Sequence, residues 1–410
     1  MSRFAALLPD PPYSYPPYRS SGLRAPRLPL LMLPQGPGEL NGPLFAQADA
    51  APGDKDLTSR FRAPPIGERI NVSGRITDAA GRPVAGQLVE IWQANAAGRY
   101  DHEGDQHLAP LDPNFDGAGR CLTDDDGRYR FLTVRPGGHP WHNHPKAWRP
   151  AHINFSVFGR SFLDRLVTQM YFPGDPLLAD DPLFGAIRNR KAAGRLVASF
   201  DLDTTEEGWA LGYRFDVVLG EPRDEPARGF EPSGRTPSQA AGPFTALGVR
   251  WFVSGSIGRD RRDREILLHG QLLDGSGAPV TDALLEFWQA DDEGRFPPQS
   301  GPDWTGFGRC FTDAGGYYRL RTLKPAPLLS GTSDTEAPHV NVSIFAAGLL
   351  QRLVTRCYFS DEVAANLFDP VLASIDEPGR RASLIAGAET GGYRFDVRLQ
   401  GDRETVFFMP

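Results

Sequence analysis

Four of the chain's eight histidines, His139, His142, His144 and His152, fall within fourteen residues. Imidazole lone pairs gathered so closely suit a first-row transition metal, although the same run also reads as a solvated, histidine-containing loop. His152 stands apart. It lies in Ala151-His152-Ile153-Asn154-Phe155, where a strand would turn His152 and Asn154 to one face and Ile153 and Phe155 to the other. A buried imidazole and amide need partners, because leaving either unpaired is costly. A metal would supply them, and so would a purely structural hydrogen-bond network. The second option stays open because a similar pair, His339 and Asn341, occurs far downstream.

That recurrence is part of a larger one. Glu90-Ile91-Trp92-Gln93-Ala94 returns as Glu286-Phe287-Trp288-Gln289-Ala290, and Gly119-Arg120-Cys121 as Gly308-Arg309-Cys310. Arg165-Leu166-Val167-Thr168 recurs intact at Arg352-Leu353-Val354-Thr355, and Tyr213-Arg214-Phe215-Asp216-Val217 at residues 393–397. The offset drifts from 196 residues at Trp92/Trp288 to 187 at His152/His339 and 180 at Tyr213/Tyr393. Such drift belongs in loops, so the shared segments are structural elements of two copies of one fold.

Each copy reads as all-β. Residues 70–76 alternate with period two, residues 88–92 form a buried run, and Asp124-Asp125-Asp126-Gly127 turns into Arg128-Tyr129-Arg130-Phe131. Short strands with frequent turn signals predict a sandwich. Helix signals are few, with residues 204–209 and 183–194 the best short candidates. With 45 Gly and 38 Pro in 410 residues and no low-complexity tract, the composition favours turns between strands. A net charge of -7 without a basic stripe argues against nucleic acid as a partner. Cys121, Cys310 and Cys357 are too few and scattered for a disulfide framework or a thiolate cluster. The apolar run at residues 28–33 is broken by Pro29, too short for a membrane span, and lacks a signal-peptide pattern. A cytoplasmic enzyme is the expectation.

Three stretches carry a resemblance: residues 92–100 (Trp-Gln-Ala-Asn-Ala-Ala-Gly-Arg-Tyr), residues 108–115 (Leu-Ala-Pro-Leu-Asp-Pro-Asn-Phe) and Trp148-Arg149-Pro150-Ala151-His152-Ile153. They resemble the β-type subunit of the intradiol ring-cleavage dioxygenases of the protocatechuate 3,4-dioxygenase kind. The second half, from Thr236-Pro237-Ser238-Gln239 to Thr405-Val406-Phe407-Phe408, resembles the α-type subunit. The likeness spans about residues 18 to 410. It implies two homologous β-sandwich domains in tandem, β-like first. Residues 1–65 would form an arm contributing to the pocket, 66–222 the iron-site domain, 223–235 a linker, and 236–410 an α-like domain without its own iron.

The resemblance also implies non-haem Fe(III) as cofactor, a small aromatic diol and O2 as substrates, and a homo-oligomer of the fused chain. Members hold iron with two tyrosinates and two histidines, a hard anionic set suited to a trivalent cation. Carried over by position, Tyr100 and His152 keep a tyrosine and a histidine ligand. His139 stands where the second tyrosine is expected, and Asn154 where the second histidine is. Arg149 falls on an arginine that stabilises the ring during cleavage, and Gln169 on a glutamine behind the ligands. Tyr18, Trp141, Gly242 and Pro243 fall on pocket walls. The family's carboxylate-reading arginine is Ala347 here, and a neighbouring threonine is Ala240. Phe296 replaces Tyr100 in the second copy.

Three readings follow from these substitutions. The site is an iron oxygenase with an altered ligand set, or a catalytically silent relative that keeps fold and pocket. Alternatively, His139, His142, His144 and His152 gather a divalent ion such as zinc for hydrolysis.

Overall fold

The structure, a computed structural model, describes residues 9–33, 35–141, 148–220, 234–253, 255–258, 264–301, 303–329 and 335–409. The chain divides into two compact units. The first comprises residues 1–19, 45–159 and 164–249, and the second residues 20–44, 160–163 and 250–410. The sequence copies and the compact units are thus different partitions. Residues 236–249 follow the linker yet belong to the first unit, and residues 20–44 belong to the second. Most of the linker expected at 223–235 lies outside the described residues, as do His142 and His144.

The first unit is a sandwich. In one sheet the strand Arg69–Asp78 pairs antiparallel with Arg128–Val134 and parallel with Leu211–Arg214 and Val217–Leu219. In the other, Leu88–Gln93 lies between Ala118–Leu122 and His152–Val157, and Leu166–Tyr171 extends the sheet. Val72, Ile76, Phe131 and Phe215 from one sheet meet Val89, Ile91, Ile153, Phe155 and Met170 from the other in a single apolar core. Alternation in His152–Val157 therefore does what the pattern predicts. Ile153 and Phe155 go to the core, and His152 and Asn154 go to the opposite face. Truncating Phe155 to alanine would cost about 3–5 kcal/mol and loosen the backbone under both polar groups.

The second unit repeats the pairing, with Glu265–Leu273 against Tyr317–Leu323 and Leu284–Trp288 between Phe307–Phe311 and His339–Phe345. Here Ile385–Glu389 pairs with both Leu353–Phe359 and Gly392–Arg394, which joins the two layers into an 11-stranded sheet. A shared detail confirms the equivalence of the units. A Cβ at Gly74 would lie 1.9 Å from the Phe215 carbonyl oxygen, and one at Gly270 would lie 1.9 Å from that of Phe395. Tyr129 and Tyr318 each donate a 2.5 Å hydrogen bond to that same carbonyl.

Helices are short, as expected, but one expected position is wrong. Residues 204–209 form a turn closed by Trp209 and Ala210 N–H groups on the Glu206 carbonyl, because Gly208 takes φ +67 and stops any helix. Residues 183–194 hold parts of two helices, Pro182–Gly185 and Arg190–Gly194, each capped by the side chain before it, Asp181 and Asn189. All three cysteines are free and buried. Among the described residues no helix is long and apolar enough to cross a membrane.

Candidate active site

The polar face of His152–Val157 is completed by its neighbours in register. Asn154 stands opposite Trp92 on one side and Gln169 on the other, and His152 stands opposite Tyr171. Tyr100 arrives from the loop after Leu88–Gln93. Asn95 Oδ1 accepts from the N–H groups of Ala97 and Arg99, both at 3.0 Å, and Asp105 accepts from the Tyr100 N–H at 2.7 Å. Gly98, with φ +82, brings this loop against the chain before His139: a Cβ there would sit 2.0 Å from the Gly138 carbonyl oxygen. His139 itself pairs with Arg149 in a two-strand hairpin.

These elements bring Tyr100, His139, His152 and Asn154 together. Tyr100 Oη lies 3.4 Å from His152 Nε2, and Asn154 Nδ2 donates to Tyr100 Oη at 3.2 Å. The His139 ring centroid is 5.4 Å from that of Tyr100 and 5.2 Å from that of His152. His152 Nδ1 is 2.9 Å from the Pro150 carbonyl, which can only accept, so Nδ1 carries the proton and Nε2 presents a lone pair to Tyr100.

Electrostatics keep the imidazoles neutral. Burial, then the charge of Arg149, lowers His152 well below the usual histidine range. Burial, followed by Arg149 and His107, lowers half-buried His139 to about 3. Burial pushes the Tyr100 phenol up to about 12, partly opposed by the Asn154 hydrogen bond and the Arg149 charge. Without a cation nearby, the phenol therefore keeps its proton at neutral pH.

Behind the cluster lies a buried network. Arg149 donates to Gln169 Oε1 (2.8 Å), Tyr171 Oη (2.9 Å) and Asp181 Oδ2 (2.7 Å). Burial works against the Arg149 charge, but Asp181 and the tyrosines more than offset this and raise its pKa. Gln169 Nε2 donates to Asn154 Oδ1 at 2.9 Å and to the Ala240 carbonyl at 3.2 Å. Among the described residues Arg149 Nε has no hydrogen-bond partner. Trp141 faces the Arg149 guanidinium at 5.3 Å, and Tyr18 lies 5.2 Å from Trp141, ring to ring. Tyr18 is buried, Gly242 half-buried and Pro243 exposed.

Ala347 and Phe296 belong to the second unit, where the Ala347 carbonyl accepts from Arg24 and Phe296 stacks on Trp288 at 5.4 Å. Among the described residues no three of His, Cys, Asp and Glu are grouped to hold a metal.

Sequence reasoning passed over Tyr171, Asp181, Gln239 and Phe244. Tyr171 donates to Gln169 Oε1 (2.8 Å) or Gln239 Oε1 (3.0 Å), and the Phe244 ring lies 4.9 Å from that of Tyr100. A signal existed for two of them: Tyr171 and Asp181-Pro182 recur as Tyr358 and Asp369-Pro370.

Comparisons with known proteins agree with this architecture. The family profile described as Dioxygenase matches residues 40–221 and 254–401, and one described as the protocatechuate 3,4-dioxygenase β subunit N terminal matches residues 10–36. The chain is 58% identical over 211 residues to the protocatechuate 3,4-dioxygenase β chain of Burkholderia cepacia, covering 51% of this chain and 89% of that one. It is 42% identical over 192 residues to the α chain from Pseudomonas putida, covering 42% of this chain and 95% of that one. The chain belongs to the intradiol ring-cleavage dioxygenase family and is protocatechuate 3,4-dioxygenase-like, with β-chain and α-chain homology in separate regions of one polypeptide, consistent with fused subunits.

Proposed function

We propose that the chain is an intradiol ring-cleaving dioxygenase that acts on a catechol with O2, using non-haem iron held by an altered ligand set. The observation that carries this reading is the convergence of Tyr100 Oη and His152 Nε2 to 3.4 Å, with the His139 ring beside both. One ionisable phenol and two neutral imidazoles form a donor set that fits an iron ion. Tyr100, His139 and His152 would hold it, and Asn154 fits least, because the atom it turns to Tyr100 is a donor. When bound, the iron would act as a Lewis acid that favours loss of the catechol protons, and the resulting catecholate is electron-rich toward dioxygen.

The chain's own residues account for the remaining requirements. Arg149, fixed by Asp181 and Gln169, has an Nε–H without a partner among the described residues, and this group would meet an oxygen of the ring as negative charge develops there. Tyr18 and Trp141 wall the ring, and Gly242 and Pro243 close the pocket edge. With Ala347 at the position of the carboxylate-reading arginine, the favoured catechol carries a less anionic or differently placed substituent than protocatechuate. Turnover of protocatechuate is to be compared with catechol and neutral 4-substituted catechols; a clear preference for protocatechuate would overturn this choice. The fused protomers form a homo-oligomer, checked by light scattering.

The donor face of Asn154 favours a second reading, a silent relative that binds catechols without turnover. The colour and metal content of the purified full chain decide between the two. A tyrosinate-to-iron charge-transfer band in the chemically oxidised, ferric protein that vanishes in Tyr100→Phe supports the oxygenase. Colourless, metal-free protein after iron supplementation supports the silent relative, and one equivalent of zinc would point to a hydrolytic site.

A further inference from the structure

We infer that Asn154 is a hydrogen-bond donor that positions the Tyr100 oxygen and not a metal ligand, so that among the described residues Tyr100, His139 and His152 hold the ion, favouring its divalent state. The inference deepens the iron-site reading above and rests on it.

The orientation of the two amides is fixed from both ends. Arg149 can only donate, so the Gln169 atom 2.8 Å from it is Oε1. The Ala240 carbonyl can only accept, so the atom facing it at 3.2 Å is Gln169 Nε2. That nitrogen also faces Asn154 at 2.9 Å, so Asn154 must offer Oδ1 there. The other end agrees: the Trp92 carbonyl accepts from Asn154 at 3.0 Å, which makes that atom Nδ2. Asn154 Nδ2 is therefore the atom 3.2 Å from Tyr100 Oη. Turning the amide over would set oxygen against oxygen at Trp92 and nitrogen against nitrogen at Gln169, all of it buried. Each such mismatch costs about 1–3 kcal/mol.

The donors consequently run in one direction. Arg149 donates to Gln169, Gln169 to Asn154, and Asn154 to Tyr100. Tyr100 then faces the free lone pair of His152, whose Nδ1–H ends the series on the Pro150 carbonyl. The proton on Tyr100 is the one that a bound cation replaces. An N–H aimed at the phenolate oxygen draws electron density from it, and only one anionic ligand remains beside two neutral nitrogens. That composition matches the two-histidine, one-anionic-oxygen set that suits ferrous iron with open positions, with phenolate in place of carboxylate.

The test measures the midpoint potential of iron bound to the full-length wild-type chain and to Asn154→Leu. Losing a donor to the phenolate strengthens that ligand. The ferric-to-ferrous preference should then rise about tenfold, a fall of about 59 mV for one electron. If Asn154 instead ligated through Oδ1, its loss would raise the potential, and that sign overturns the inference. An unchanged potential overturns it equally. Should Asn154→Leu fail to fold, a crystal structure of the zinc-loaded wild-type chain decides. Every Asn154 atom should lie beyond the coordination distance of about 2.0–2.3 Å, and one within it refutes the assignment. A wild-type chain that takes no metal also overturns it. Turnover is assayed separately, so an inactive protein with the expected potential shift defeats only the oxygenase reading.

Discussion

The two units place the same strand pairs around the same position and fill it in opposite ways. In the first, Arg149 reaches Gln169, and Tyr100 presents a phenol to His152. In the second, the equivalents are Glu336, Arg356, Phe296 and His339. His339 keeps the same tautomer, with Nδ1 2.8 Å from the Ala337 carbonyl. Yet Arg356 now stands inside and binds Glu336 at 2.9 Å and Glu39 at 2.8 Å, and Asn341 donates to Glu39 at 2.8 Å. Trp288 Nε1 donates to the Gly38 carbonyl at 2.8 Å, which seats the short helix Pro37–Leu40 in the position. Charges that answer one another make a closed structural core. In the first unit the groups that converge are the Tyr100 phenol and the His139 and His152 imidazoles, kept neutral by burial. A few side chains thus give one scaffold two different polar interiors.

The largest break in that contrast is Tyr100→Phe, which gives the first unit the second unit's residue. The charge-transfer colour of the chemically oxidised, ferric protein should disappear and ring cleavage fall on the order of a thousandfold or more, measured by absorbance and O2 uptake. The reciprocal Phe296→Tyr should add no second equivalent of metal, because Glu39 and Arg356 already occupy that position. Next in size is Glu39→Ala. Stripping one partner from buried Arg356 should cost about 3–5 kcal/mol in denaturant unfolding while leaving the metal content unchanged. Loss of metal instead would mean that the second unit does more than support.

A smaller change sharpens the comparison in the other direction. His139→Tyr combined with Asn154→His should raise ferric affinity at least about tenfold by competition titration; no gain would mean these positions are misassigned. The smallest effect concerns pH. Burial, then Arg356, holds His339 well below its usual value of 6.5. Its neutral state therefore contributes stability that is fully present above pH 6.5 and lost as pH falls below it, since only the unfolded chain takes up the proton. Glu336 Oε2, 3.6 Å away, and Arg356 are the charged groups facing it. In His339→Gln the acid-side slope of stability should shrink by about 1.4 kcal/mol per pH unit, read from unfolding midpoints between pH 6.5 and 5.

The repeat exposed the fold because strands are local: residues 70–76 and 88–92 announce their faces by period alone. Tyr100 and His152 were legible through a resemblance, since nothing in a separation of 52 residues brings a phenol to an imidazole. The orientation of Asn154 was hidden. It depends on which way Gln169 turns, and that depends on Arg149 and on Ala240, 71 residues beyond Gln169. Glu39 was hidden for the same reason, lying 317 residues from the arginine it neutralises. Residues 204–209 misled because their polar composition suits a turn as well as a helix, and Gly208 decides for the turn.

Gly98 has a consequence for how this protein could change. Its missing side chain lets the loop bearing Tyr100 rest directly on the backbone before His139, and an alanine would intrude about an ångström too far. The two donors share a fulcrum, so a single methyl group would move both at once. The proposed donors can be exchanged one by one, but the spacing of Tyr100 and His139 hinges on a hydrogen atom.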